Sequence, residues 1–379
     1  VSGRVLAILV ALAIVLGGGA LWLHRQQSAR EATNVATLGQ PVLKDLKAAE
    51  IGAIRIEGPK ATLTVTQRDG QWKIAERKDF PADAAKVRGL VLKAIELKVG
   101  QSEPIAAEDR ARLALNESGE GAGTRLTFQS SDGKPLARLI VGNKYFKQAP
   151  DNPDTATADG RYVMRPEDPK TVLVVSDPLA QVSTQTARWI DRSGIAAEDV
   201  KTLELRMADG EHWKISRENP DATWTIDGEI PPGQQVAVTK ANAASYSMSL
   251  LEIEDVAASD LTAAQSGLDK PSIVTATTFA GLTYTLKVGK LIDGKYPVTV
   301  SIEGEPNKAR TPKANESEAD KAKNDKAFAE NLKKLEARLA REKALVGRVL
   351  LIEKIKLDDI LEKRAHFLEK KEEKKAGPK

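Results

Sequence analysis

The chain has 379 residues, 41% of them hydrophobic and 29% charged, which suits two ordinary domains and excludes a multi-span membrane protein. It has no cysteine, so disulfides, thiolate metal sites and cysteine nucleophiles are excluded together. The net charge of +4 is uneven: Pro306 to Lys379 holds 21 Lys and Arg against 14 Asp and Glu, so the basic excess belongs to the C-terminal fifth. Such an excess fits a solvated helical face with a loose tail, or contact with anionic lipid or an acidic partner. Aromatics are only 4% and none interleave with the basic cluster, so nucleic acid is not expected as a partner.

Val5 to Leu23 is a run of 19 residues without a charge, set between Arg4 and His24-Arg25. A bilayer core takes roughly 20 apolar residues at helical rise, so the run predicts a single transmembrane anchor over residues 1–25. It is longer than the roughly 7–15 apolar residues of a cleaved signal, and Trp22 stands where interfacial aromatics sit, although Gly18-x-Ala20 also fits a cleavage site. Arg25 and Arg30 after the run outnumber Arg4 before it, which by charge alone favours a cytoplasmic body. The layout of a short basic start, an apolar core and a long domain is instead that of an export signal. On that layout the soluble part is expected on the outer side of the membrane.

Residues 26–50 are mostly polar and form a linker, after which one order of features occurs twice, over 51–192 and 193–370, before a basic tail at 371–379. The first copy alternates through Ile54, Ile56, Leu63 and Val65, turns at Asp69-Gly70 and reaches Trp72-Lys-Ile74. The second alternates through Val200, Leu203 and Leu205, turns at Asp209-Gly210 and reaches Trp213-Lys-Ile215 and Trp224-Thr-Ile226. Alternation around Asp-Gly predicts hairpins. Helical stripes follow at Val87, Leu90, Val91, Ala94 and Ile95, and at Ala241, Ala244, Met248 and Leu251. Leu139-Ile-Val-Gly-Asn-Lys144 matches Leu286-Lys-Val-Gly-Lys290, and Gly160-Arg-Tyr162 matches Gly294-Lys-Tyr296. Val172 to Val175 with Leu179, Val182, Trp189 and Ile190 matches Leu350 to Glu353 with Leu357, Ile360, Phe367 and Leu368, which predicts that each copy closes on a strand and an amphipathic helix. The predicted fold is α+β, an N-terminal transmembrane helix followed by two strand-rich units.

The offset between copies grows from 134 at Tyr162 and Tyr296 to 178 at Val172 and Leu350, so the second carries 44 extra residues, placed at 304–347. From about Ser317 to Val346 this stretch is rich in Ala, Glu, Lys, Leu and Arg and predicts a long helix. Its narrow stripe, Phe328, Leu332, Leu335 and Leu339, either packs back on its own domain or docks another subunit. These four are the candidate partner-docking residues, and the insertion is expected to be dispensable for folding.

Chemistry is sparse. His24, His212 and His366 have no carboxylate or second histidine at metal spacing, and zinc needs about four ligands. There is no Gly-x-Ser-x-Gly, His-Glu-x-x-His or Walker loop, and Gly119-Glu-Gly121-Ala-Gly123 lacks the following Lys-Ser/Thr of a phosphate loop. Glu252 and Glu254 share a face if extended, where solvated edge charges are the simpler reading. Trp72, Trp189, Trp213 and Trp224 read as core anchors, and Trp72 and Trp224 are expected to be equivalent core residues of the two units. No catalytic residue, cofactor or metal is expected, and the chain is not expected to be an enzyme.

The repeated Trp-Lys-Ile strand, the Leu-x-Val-Gly-x-Lys strand and Thr186-Ala-Arg-Trp-Ile-Asp-Arg192 resemble an uncharacterised bacterial family. Its members are membrane-anchored, face the periplasm and carry tandem domains of unknown function. They are commonly encoded beside an ABC transporter permease and a gliding-motility-type auxiliary component. The resemblance covers about Ile51 to Leu368, apart from the insertion. It implies a periplasm-facing location and a transporter-associated role and leaves the molecular activity open. The expected function is a non-catalytic extracytoplasmic accessory subunit of a membrane transport assembly, with the permease and auxiliary subunit as partners. The alternative is an envelope binding module that holds a polymer or small ligand between the two repeats.

Overall fold

The structure is a computed structural model that describes Gly19 and residues 37–258, 260–312 and 316–371. Apart from Gly19, the apolar run Val5 to Leu23 lies outside the described residues, as does the tail after Lys371. No helix among the described residues is long and apolar enough to cross a membrane. The chain divides between Asp191 and Arg192 into two compact units, each built on a large antiparallel sheet, so the fold is strand-rich α+β.

The first unit contains β1 (Ala53–Glu57), β2 (Thr62–Arg68), β3 (Gln71–Ile74) and β4 (Phe80–Pro81), then helix α1 (Ala84–Glu96). It continues through β5 (Gln101–Pro104), β6 (Thr124–Gln129), β7 (Pro135–Tyr145), β8 (Gly160–Met164) and β9 (Thr171–Val175). The sheet order is β4-β3-β2-β1-β6-β7-β8-β9-β5. Alternation selects its buried face: Ile54 pairs with Val65 and Phe128, Ile56 pairs with Leu63 and Leu126, and all six are buried. Helix α1 carries the chain from one edge of the sheet to the other. Asp83 caps it by accepting from the N–H groups of Ala85 and Lys86 at 2.9 and 3.2 Å. Its buried stripe is Val87, Leu90, Val91 and Ala94, with Ile95 half-buried beside it.

The second unit runs β10 (Val200–Arg206), β11 (His212–Ser216), β12 (Thr225–Ile226), β13 (Gln234–Val236), α2 (Val238–Ser249), β14 (Asp255–Val256) and α3 (Ala263–Ser266). Next come β15 (Ser272–Thr278), β16 (Thr283–Val288), β17 (Lys295–Glu303), α4 (Glu318–Lys343), β18 (Leu350–Glu353), α5 (Lys354–Leu357) and β19 (Leu368–Lys370). Its sheet order, β12-β11-β10-β15-β16-β17-β18-β14, repeats that of the first unit from β3 to β5. The registers agree as well. Tyr162 pairs with Val174 and Tyr296 with Ile352. The closing segment returns to the start of the helix in both: Ala82 bridges Ile190, and Val236 pairs with Leu368. Gly142 and Gly289 are matched too, because a Cβ would strike the Leu113 carbonyl at the first and the Ser266 carbonyl at the second. Each glycine lets the helical turn ahead of the next strand lie against the sheet.

Three expectations need correction. Trp213-Lys-Ile215 is not the counterpart of Trp72-Lys-Ile74. Leu205 pairs with Trp213 as Ile56 pairs with Leu63, so Trp213 stands in the second strand where the first unit has Leu63. Ile74 pairs with Val65 and Ile226 with Ile215, so the expected equivalence of Trp72 and Trp224 holds in position. Asp-Gly with alternation suits any antiparallel hairpin, so the motif matched the wrong one. Second, neither unit closes on an amphipathic helix. Leu179, Val182, Trp189 and Ile190 are buried along a loop with one 3-10 turn at Thr186–Arg188. Leu357, Ile360 and Phe367 are buried along the four-residue α5 and a 3-10 turn at Arg364–Phe367. Their spacing mimicked a helix because single side chains drop into the core from successive turns. Third, Trp72 is half-buried, whereas Trp189, Trp213 and Trp224 are buried.

Candidate functional site

The insertion lies between β17 and β18, which are paired neighbours: β18 starts at Leu350 opposite Val298, and β17 runs five residues further to Glu303 before the insertion begins. Its first residues are fastened at two points. Asn307 donates its backbone N–H to Ala280 O at 2.9 Å and its side-chain amide to Phe279 O at 3.0 Å. Arg310 then makes a bidentate contact with Glu316, at 3.0 and 2.8 Å, and a second ion pair with Asp325 at 2.7 Å. These hydrogen bonds hold the Arg310 guanidinium even more firmly protonated than usual. Ser317 caps α4 by accepting from the Asp320 N–H at 3.1 Å. Glu318 and Asp320 in the first turn and Arg341 and Lys343 in the last match the helix dipole. At 26 residues α4 is about 39 Å long.

The other end of α4 is built into the second unit's core. Leu339, Glu342 and Leu345 are buried, and Glu342 is only 2% exposed. Its Oε1 accepts from the Ala196 N–H at 2.8 Å and its Oε2 from the Tyr284 hydroxyl at 2.9 Å. Arg338 pairs with Glu198 at 2.6 Å and stands 3.5 Å from Glu342. Burial is the main force raising the Glu342 carboxyl above its ordinary range, opposed by the Ala196, Tyr284 and Arg338 contacts. Burial, then the Glu342 charge, pushes the Tyr284 phenol far upward. For Arg338 burial acts downward, but Glu198 and Glu342 outweigh it and the guanidinium is held protonated. The cluster is an anchor: it ties α4 to β16 and to the loop before β10.

Between these two fastenings a cavity of about 750 Å³ separates α4 from the sheet. Phe279 and Leu282 line it from the sheet side, and Phe328, Leu332 and Leu335 from α4. These three stripe residues are half-buried and turned towards their own unit, while Leu339 is buried at the anchored end. Lys334, Arg338 and Arg341 also line the cavity, spaced i, i+4, i+7 along one flank of the stripe. Arg338 is occupied by Glu198, whereas no ion pair is formed by Lys334 or Arg341 among the described residues. The site is therefore a slot of mixed lining, with the apolar stripe facing Phe279 and Leu282, polar groups such as Thr278, Asn307 and Asn331 around them, and a cationic flank.

Sequence reasoning found the stripe and missed the anchor. Glu342 lies three residues beyond Leu339 on the same helical face, and Tyr284 falls on the inward phase of a strand, so both signals were present. The other sequence candidates are structural. Glu254 is ion-paired with Arg192, and Glu252 with Lys356 at 3.0 Å. His212 lies 3.1 Å from Glu204, and His366 packs edge-on to Phe367. His24 is outside the described residues. No group of three or more His, Asp or Glu suited to a metal occurs among the described residues. In the Gly119 to Gly123 loop, a Cβ on Gly121 would strike Ala111 and one on Gly123 the Ala114 carbonyl, so both serve close packing.

Fold and site together define a two-unit, strand-rich α+β protein with one elaborated unit. The chain belongs to the family described as domain of unknown function DUF4340, which it matches over residues 72–271. That stretch begins in β3 of the first unit and ends just before β15 of the second. No curated protein and no solved structure shows significant similarity to it.

Proposed function

We propose that the protein is a non-catalytic accessory subunit of an ABC-type membrane transport assembly, anchored through Val5 to Leu23 with its body in the periplasm. Its partners are the permease and the auxiliary subunit, and it acts by docking. The observation that carries this reading is α4. The order of the first sheet from β3 to β5 recurs in the second, and among the described residues only the second unit carries a 26-residue charged helix between paired strands. A sheet that closes without such an element gains surface from it. The outer side of α4, including Lys326, Glu330 and Lys333, is exposed and offers alternating charge to a partner.

An export-dependent reporter fused after Gln40 and purification of the full chain in mild detergent from its own membranes test this reading. An active reporter and a permease recovered in stoichiometric amount are expected. An inactive fusion, or a chain that comes out of the membrane alone, would overturn it. An envelope module that binds a polymer or small ligand is the second reading; the cavity beneath α4, which lies within the second unit, favours a bound ligand there and carries nothing about a site between the repeats.

A further inference from the structure

We propose that the cavity beneath α4 is a binding site for a single-chain anionic amphiphile, an alkyl chain ending in a carboxylate, such as a long-chain fatty acid. This goes beyond the docking reading, which uses the opposite side of α4, so either can fail without the other.

Apolar faces in a protein interior normally close on one another to crystal-like density. Here Phe328, Leu332 and Leu335 face Phe279 and Leu282 across about 750 Å³, a volume in the range of ligand sites. The gap is held open because α4 is fastened at both ends by polar contacts. Asn307, leading into the helix, binds the Ala280 and Phe279 carbonyls, and Glu342 binds Tyr284 and Ala196 near the helix's end. The insertion is tied to the second unit on both sides of the slot. The slot is thus preorganised, and an apolar occupant would restore the contacts that its walls lack.

The shape and charge of the slot select the occupant. The apolar part of the α4 wall is the stripe Phe328, Leu332 and Leu335, and the lining residues from Phe328 to Arg341 extend about 20 Å at helical rise, which suits one extended chain. On its flank, Lys334 and Arg341 are about 10 Å apart with no carboxylate partner among the described residues, and Asp199 is the one lining acid left unpaired there. The residual charge at that rim is positive, so an anionic head is favoured over a neutral one.

The test uses the full chain in phosphatidylcholine nanodiscs and a palmitate analogue carrying a photoreactive diazirine on its chain. Labelling is expected to saturate, to map by mass spectrometry to the peptides holding Phe328 to Leu335 and Phe279 to Leu282, and to be competed by unlabelled palmitate. Filling the slot with Leu332→Trp, or with Leu335→Phe as an independent second variant, should weaken competition by about tenfold or more while thermal unfolding stays cooperative. Lys334→Ala with Arg341→Ala should weaken palmitate by about tenfold and leave hexadecanol unchanged. Labelling that never saturates, that maps elsewhere, or that persists unchanged in a folded slot-filling variant overturns the proposal. Equal competition by palmitate and hexadecanol in the unaltered protein overturns the assignment of an anionic head.

Discussion

The Tyr284 hydroxyl donates a 2.9 Å hydrogen bond to Glu342 Oε2, joining β16 to the last turn of α4 across 58 positions of sequence. Together with Arg338, Glu198 and Ala196, this contact fastens the C-terminal end of α4 to the second unit.

Burial raises the Glu342 carboxyl above its ordinary 4.5, so the folded protein holds that proton more tightly than the unfolded chain does. The resulting stabilisation is full below the unfolded value and is lost as pH rises through the folded one. Glutamine at this position has no proton to exchange. The unfolding free energy of the unaltered protein minus that of Glu342→Gln should therefore fall as pH rises above the ordinary glutamate value, in urea titrations. A difference that is flat across that range contradicts the assignment.

Tyr284→Phe removes one of the donors to a buried carboxyl without changing shape. The expected cost is about 1–3 kcal/mol, read from the denaturation midpoint at neutral pH. A cost within error would mean that Glu342 finds a replacement donor, and the anchor would be weaker than its geometry implies.

Gly142→Ala and Gly289→Ala put a Cβ onto the Leu113 and Ser266 carbonyls. Both should destabilise, by about 1–3 kcal/mol each, since backbone must shift to make room. One substitution tolerated and the other not would argue against equivalence of the two positions.

How much of this was legible can be judged residue by residue. The growth in offset after Tyr162 and Tyr296 located the insertion between paired strands, because strand register is fixed wherever one face is buried. The hairpin match failed at Trp213, since alternation and Asp-Gly carry no information about which strand of a meander they occupy. The inward turn of Phe328, Leu332 and Leu335 was not legible either, because periodicity names a face and not what it faces. The Tyr284 to Glu342 bond depends on a contact between distant segments, and in a helix crowded with charge Glu342 reads as one more solvated acid. Its burial, with that of Leu339 and Leu345, also means that the end of the insertion is core, and that removing all of it takes core residues from the second unit.

Trp224 and Trp72 occupy equivalent positions with unequal burial. Trp224 is 3% exposed, donates to Asn242 Oδ1 at 2.8 Å and lies under the Arg217 guanidinium, while Trp72 is half-buried. Trp224→Ala should cost about 3–5 kcal/mol and Trp72→Ala distinctly less, in chemical denaturation of the full chain. The reverse order would contradict the packing described for the second unit.

The claim that α4 is the docking element is tested most directly by charge reversal on its outer side. Lys323→Glu, Lys326→Glu and Lys333→Glu change exposed residues, so together they should leave the unfolding midpoint nearly unchanged. The measurement is the amount of permease recovered with the full chain from its own membranes in mild detergent, with and without the three changes. A permease present at fixed stoichiometry with the unaltered chain and lost with the triple variant is the predicted result. Equal recovery with both would contradict the account.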